Sequence, residues 1–234
     1  MRNALVVLAA VTLLQGLAFA FPGPDSIGIY ASETDAVTTT STTGPFEAVT
    51  LYLLITNPTF EGVSGWQCMI EYELISGTNN MTGVSWALTA GAAGATNVYD
   101  DPYFEVGLGA GTAALREVAG VVKIATMTGY VMAPTDRIAL SINGLPGSNS
   151  QPQDAEGNPT HNLGNPVYVH PDNPGVVQAL QPNTGGAWES LPQADQSQNH
   201  DTWAGNVCFI INPDAEVIVE NEESTWSTVK TLFR

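Results

Sequence analysis

Along Gln67-Cys68-Met69-Ile70-Glu71-Tyr72-Glu73-Leu74 the side chains change character at nearly every step. In an extended chain successive side chains point to opposite faces, so Cys68, Ile70, Tyr72 and Leu74 share one face and Gln67, Met69, Glu71 and Glu73 the other. One face suits a core and the other suits water, which is the pattern of a half-buried strand. Segments mostly rich in β-branched or aromatic residues recur at 26–30, 47–56, 66–76, 84–89, 103–108, 120–130, 137–143, 167–170, 207–211 and 216–220. Turn formers such as Thr56-Asn57-Pro58, Gly77-Thr78-Asn79-Asn80, Asp100-Asp101-Pro102 and Ala133-Pro134-Thr135-Asp136 separate many of them. Strands of this kind hide their apolar faces by stacking sheet on sheet, so the expected fold is all-β, a β-sandwich.

Residues 1–20 have the order of an export leader. Arg2 gives a basic start, Ala4 to Leu14 is apolar, and Ala18-Phe19-Ala20 places small residues at the −3 and −1 positions of a cut before Phe21. The apolar run is shorter than the roughly 20 residues a membrane span needs. No cysteine follows the cut, which speaks against a lipid anchor. The expected organisation is a signal peptide at 1–20, a sandwich domain at 21–220 and a tail at 221–234.

Within the domain, 144–204 differs: it is dense in Pro, Gly, Asn and Gln and holds His161, His170 and His200. A structureless loop of that length is unusual in a compact domain, so we expect an elaborated loop packed on the sandwich, with an added hairpin around 167–180. The tail reads as a short helix. Ser224 or Thr225 can cap it, Glu222 and Glu223 sit at its positive end, and Lys230 and Arg234 at its negative end. Trp226, Val229, Leu232 and Phe233 fall at helical spacing and form an apolar face, expected to dock on the parent domain rather than on a partner.

Six basic residues stand against 23 acidic ones, for a net charge of −17. Such a surface repels nucleic acid and anionic lipid, so neither is an expected partner. Only 12% of residues are charged and 44% are hydrophobic. The acidity therefore reflects scarce Lys and Arg, not a disordered composition. Cys68 and Cys208 are the only cysteines. In an oxidising compartment a lone pair is expected to form a disulfide, restraining the unfolded chain by about 4 to 5 kcal/mol; two buried thiols are the other reading.

Leu51 to Asn57, followed by Gly62-Val63-Ser64-Gly65-Trp66-Gln67-Cys68 and by Tyr103-Phe104-Glu105-Val106-Gly107-Leu108-Gly109, resembles a family of uncharacterised secreted bacterial proteins. Members close with a Thr-Trp-Gly-x-(Ile/Val)-Lys-x-Leu-(Tyr/Phe)-Arg tail, which Thr225 to Arg234 matches except that Ser227 replaces the Gly. The sandwich portion is similar in layout to cohesin-like domains. There an apolar strand, an Asn-Pro turn and a Val-x-Gly-aromatic strand start follow in order, here Leu51 to Thr56, Asn57-Pro58 and Val63-Ser64-Gly65-Trp66. The resemblance covers about 26–143 plus the tail and implies a jelly-roll-like sandwich acting in binding or assembly. No dockerin-contact residues transfer position by position, and fold analogy does not carry function.

Candidates for chemistry are few. Three imidazoles can hold zinc or copper, but the spacing of His161, His170 and His200 matches no metal motif, and solvated loop histidines are the preferred reading. Asn97, Asp100, Asp101 and Glu105 gather oxygen ligands that suit Ca²⁺, although Asp-Asp-Pro is also an ordinary turn. Glu71 and Glu73, about 7 Å apart on one strand face, are compatible with paired-carboxylate hydrolysis; alternating Glu on a wet face is the simpler account. Gly62-Val63-Ser64-Gly65 lacks the spacing of a nucleophile elbow. Tyr168, Trp188 and Trp203 are aromatic rings in a polar region that could stack on sugars or pin the loop to the core. Asn80-Met81-Thr82 fits a glycosylation sequon.

The expectation is a secreted or cell-surface, non-catalytic module with a protein or polysaccharide partner, no membrane span, and no cofactor beyond an optional Ca²⁺. A carbohydrate- or calcium-binding module and an extracellular hydrolase are the alternatives.

Overall fold

The computed structural model describes residues 23–90, 94–99, 103–145, 165–191 and 207–214, with the backbone alone at Trp188. Among the described residues the regular secondary structure is almost wholly strand. The elements are β1 (Ser26–Tyr30), β2 (Thr39–Thr40), β3 (Glu47–Thr56), β4 (Gly62–Val63), β5 (Gly65–Ser76), β6 (Thr82–Leu88), β7 (Ala95–Asn97) and β8 (Tyr103–Leu108). They continue with β9 (Leu115–Arg116), β10 (Val121–Val131), β11 (Arg137–Asn143), β12 (Val167–His170), β13 (Asn173–Ala179), β14 (Gln181–Pro182), a 3-10 turn at Trp188–Ser190 and β15 (Val207–Ile211). The tail and its expected apolar face, and the strand expected at 216–220, lie outside the described residues.

One sheet has the order β14-β1-β3-β10-β6. Its spine is the long antiparallel ladder between β3 and β10, running from Val121 opposite Thr56 to Val131 opposite Glu47. The second sheet is organised around β5, which pairs with β8, β11 and β12, while β15 follows β11 and β2 closes on β15. β8 occupies one edge of β5 along Gly65 to Met69, and β12 pairs with Gly65 to Gln67. β12 therefore uses the opposite edge, the edge that β11 takes from Met69 onward. β11 and β12 thus lie end to end along one side of β5.

The core forms between the two sheets because alternating residues on both are apolar. Val49, Leu51, Leu53 and Ile55 from β3 and Val122, Ile124 and Met127 from β10 meet Cys68, Ile70, Phe104, Leu140, Ile142 and Phe209. Each large aliphatic or aromatic side chain taken fully out of water stabilises the fold by about 1.5 to 3 kcal/mol. A register shift between Lys123 and Ala125 lets the consecutive residues Ile124 and Ala125 both be buried. The two-sheet expectation from alternation holds.

A second, smaller cluster lies apart from this core, where Ile75, Ala139, Val207 and Ile210 are covered by Ala187 and Leu191 on either side of the 3-10 turn. This explains why β15 is buried along its whole length. Part of the 144–204 region is therefore packed against the sandwich, and the expected hairpin is present as β12 and β13.

The expected disulfide is not formed. Cys68 and Cys208 are buried thiols. Cys68 belongs to β5 and Cys208 to β15, and β11 runs between those strands. Strands separated by one neighbour stand about 9.5 Å apart, whereas a disulfide needs its Cα atoms within about 7 Å. Burial pushes the Cys208 thiol up to about 12. Burial, and secondarily the nearby Cys208, pushes Cys68 up as well.

Candidate functional site

Asp25 precedes β1 in a left-handed backbone conformation, φ 49°. Its N–H donates to the Asn57 carbonyl at 3.0 Å, fixing the turn after β3. Its Oδ1 accepts from the Tyr168 hydroxyl at 2.7 Å and the Thr59 N–H at 2.7 Å, and its Oδ2 from the Thr59 hydroxyl at 2.6 Å. The Phe60 N–H donates to the Tyr168 oxygen at 3.2 Å. Tyr168 is fully buried, so it offers no ring to a sugar, and the expectation that it would is corrected. Its neighbours explain why: Val167, Tyr168 and Val169 form a strand between β5 and β13, so a residue set in a polar stretch of sequence is central in the sheet. Burial first, and the bond to Asp25 second, raise the Tyr168 phenol above the usual range.

The other expected site residues separate. His170 packs against Phe60 with the rings tilted by 56° and their centroids 4.5 Å apart, and its Nδ1 accepts from the Asp172 N–H at 3.0 Å; His161 and His200 lie outside the described residues. Asn97 holds the β7–β8 connection, donating to the Tyr103 carbonyl at 2.9 Å and accepting from the Glu105 N–H at 2.9 Å. Asp100 and Asp101 are outside the described residues, as is Trp203. Among the described residues no group of three or more His, Cys, Asp or Glu side chains gathers in metal-binding geometry. Glu71 accepts from Asn143 Nδ2 at 2.7 Å across the β5–β11 pair. Trp188 lies in the 3-10 turn.

Buried polar side chains elsewhere knit loops to strands. Asp136 Oδ1 accepts from the N–H groups of Thr78 at 2.9 Å and Asn79 at 3.2 Å, holding the β5–β6 turn. Asn212, φ 55°, accepts from the Thr42 N–H at 2.7 Å and donates to the Asp136 carbonyl at 2.9 Å.

Among the described residues, a groove of about 450 Å³ opens beside the β9–β10 connection, and a smaller one of about 250 Å³ lies over β5, β8 and β12 at Trp66, Val106 and Val169. Val118 and Val121 exchange backbone hydrogen bonds of 2.9 and 3.1 Å around Ala119-Gly120, whose φ angles of 52° and 82° are both positive. This is the two-residue hairpin geometry that matches strand twist. Alternation on its two arms puts Arg116 and Val118 on the same side as Val121 and Lys123, and all four line the groove. Two cations on one hairpin face repel, and each has an acidic partner: Arg116 Nη2 lies 3.2 Å from Asp172 Oδ1, and Lys123 Nζ 2.8 Å from Glu33 Oε1. The Lys123 ammonium also stands 5.8 Å from the centre of the Tyr52 ring. Arg137, the other basic residue among those described, is buried. Both solvent-reachable cations of the described structure thus lie in one groove of an acidic protein.

Sequence reasoning passed over Arg116 and Lys123. Their signal was placement: they stand symmetrically about Ala119-Gly120 in a chain with few basic residues. Among the described residues no helix is long and apolar enough to cross a membrane. No protein-family model matches the chain, and no curated protein matches it in sequence. The architecture places the protein in the all-β class, with sheets packed face to face.

Proposed function

We propose that the protein is a secreted or cell-surface, non-catalytic module of cohesin-like layout that works in adhesion or assembly, with a protein or polysaccharide partner. One observation carries this reading. The side chains best equipped for chemistry, Asp25, Tyr168, Asp136 and His170, are committed to one another, to backbone amides or to ring packing that fixes loops on the sandwich. The accessible surface of the described residues includes a groove, which suits recognition of a ligand. The order of β3, the Asn57 turn and the β4–β5 strand start agrees with the cohesin-like layout, and the leader-like residues 1–20 motivate export.

Cell fractionation with an antibody, together with binding of purified mature protein to envelope preparations, tests this. The expected result is protein lacking residues 1–20 in the medium or at the surface, with saturable envelope binding. Retention inside the cell with the leader intact, or binding that never saturates, would overturn it.

A further inference from the structure

From the groove beside the β9–β10 hairpin we infer a binding site for a carboxylate-bearing saccharide, such as a stretch of uronic acid residues in an acidic polysaccharide. The inference rests on the reading of the protein as an extracellular binding module and names the ligand class of one surface. Three observations carry it.

The first is charge placement. A net charge of −17 repels polyanions at long range, but salt screens that field, and Arg116 and Lys123 share one face of a hairpin and line one groove of about 450 Å³, a local concentration of cations that a carboxylate meets at contact distance. Their present partners, Asp172 and Glu33, form exposed or half-exposed pairs. Pairs of that kind are worth about 0 to 1 kcal/mol, so an incoming carboxylate can replace either at little cost. A guanidinium and an ammonium lining the same groove offer fork-like and point-like donors to a carboxylate and its adjacent hydroxyls.

The second is what the backbone withholds. Val118 and Val121 bond each other, Leu115 and Arg116 pair with Val63 and Gly62, the Glu117 N–H donates to the Glu61 carbonyl and the Thr89 N–H to the Ile124 carbonyl. These amides and carbonyls are already bonded, so at these positions a peptide gains little by strand addition. The groove offers side chains instead: two cations, the Glu33 carboxylate, and the Thr34 and Thr89 hydroxyls. That set matches a ligand dense in hydroxyls and carboxylates.

The third is the wall. Leu115, Val118, Ala119 and Val121 present aliphatic surface, with Val118 74% exposed. Aliphatic surface accepts the C–H faces of a sugar ring, and it leaves selectivity to the charged groups.

The test is calorimetric titration of the full mature protein with oligogalacturonate, with a neutral oligogalactan of equal length, and with poly-glutamate. Binding of oligogalacturonate alone is expected. Arg116→Gln and Lys123→Gln should each weaken it about fivefold, the scale of one solvent-exposed charge pair, with unchanged melting temperatures showing intact folds. Glu71→Gln, on a different surface, should leave binding unchanged. Equal affinity for the neutral glycan, preference for poly-glutamate, or insensitivity to both groove substitutions would overturn the site while leaving the binding-module reading to the envelope experiment. Absence of any glycan binding alongside saturable envelope binding would also overturn the site alone.

Discussion

The Tyr168 hydroxyl donates to Asp25 Oδ1 at 2.7 Å inside the protein, joining the residue that precedes β1 to a strand of the opposite sheet. The phenol also accepts from the Phe60 N–H, so it links three segments far apart in sequence. Replacing it with phenylalanine keeps the ring and strands the Phe60 N–H. Tyr168→Phe should therefore cost about 1 to 3 kcal/mol, the range for leaving a buried polar group unpaired. Urea unfolding monitored by tryptophan fluorescence would measure it, and a loss below about 0.5 kcal/mol would show that water replaces the bond.

Because β11 separates Cys68 from Cys208, the folded protein should carry two thiols that a water-soluble thiol reagent cannot reach. Both should react once the protein is unfolded in urea without reductant. An intact mass two hydrogens lower than that of the dithiol form would contradict the structure.

Stability should fall in alkali. Tyr30, buried and bonded to Asn183, is pushed up to about 12 mainly by burial, and an unfolded tyrosine loses its proton near pH 10. The native state thus keeps a proton that the unfolded chain releases, and the two thiols behave alike from about pH 9. Their contribution is complete below those values and is lost as pH rises through the folded ones, at about 1.4 kcal/mol per pH unit for each group. Urea midpoints should hold near neutrality and drop above about pH 9. Tyr30→Phe should flatten the limb above about pH 10; an unchanged slope in that variant would remove Tyr30 from the account.

Gly77→Ala should destabilise the β5–β6 turn. Gly77 has φ 108°, and an added Cβ would stand 2.5 Å from Asp136 Oδ1 and 2.7 Å from the Asp136 Cα. Both the backbone conformation and the contact oppose it, so a loss of at least about 1 kcal/mol is expected in thermal or urea unfolding. Gly107→Ala, where a Cβ meets nothing within 4 Å, is the matched control and should change little.

The longer strands were legible because their side chains alternate, as in β3 and β8, or form short runs of apolar and β-branched residues, as in β11 and β15. The expected 47–56, 103–108, 137–143 and 207–211 coincide with β3, β8, β11 and β15. Two-residue strands such as β2, β4, β9 and β14 were not legible, since a pair of residues has no period and pairing partners alone define them. The cysteine pairing failed for a related reason: spacing along the chain says nothing about which strand lies between. The polar neighbourhood of Tyr168 suggests an exposed ring, whereas its flanking strand formers Val167 and Val169 carry it into the sheet between β5 and β13. The groove is not legible from the total of basic residues, because its signal is the symmetry of Arg116 and Lys123 about a two-residue turn.

β14 adds in parallel to β1, and β15 in parallel to β2. The earliest and latest described strands are therefore interlocked, and Asn212 clasps Thr42 to the start of β11. A nascent chain cannot finish the first sheet before β14 at 181–182 is free to join β1, nor the second before β15 at 207–211 is free to join β2 and β11, so assembly is slow and governed by distant partners. If the chain is exported as proposed, that delay is an asset: the polypeptide would stay pliable while threaded through a narrow translocon and set only on arrival.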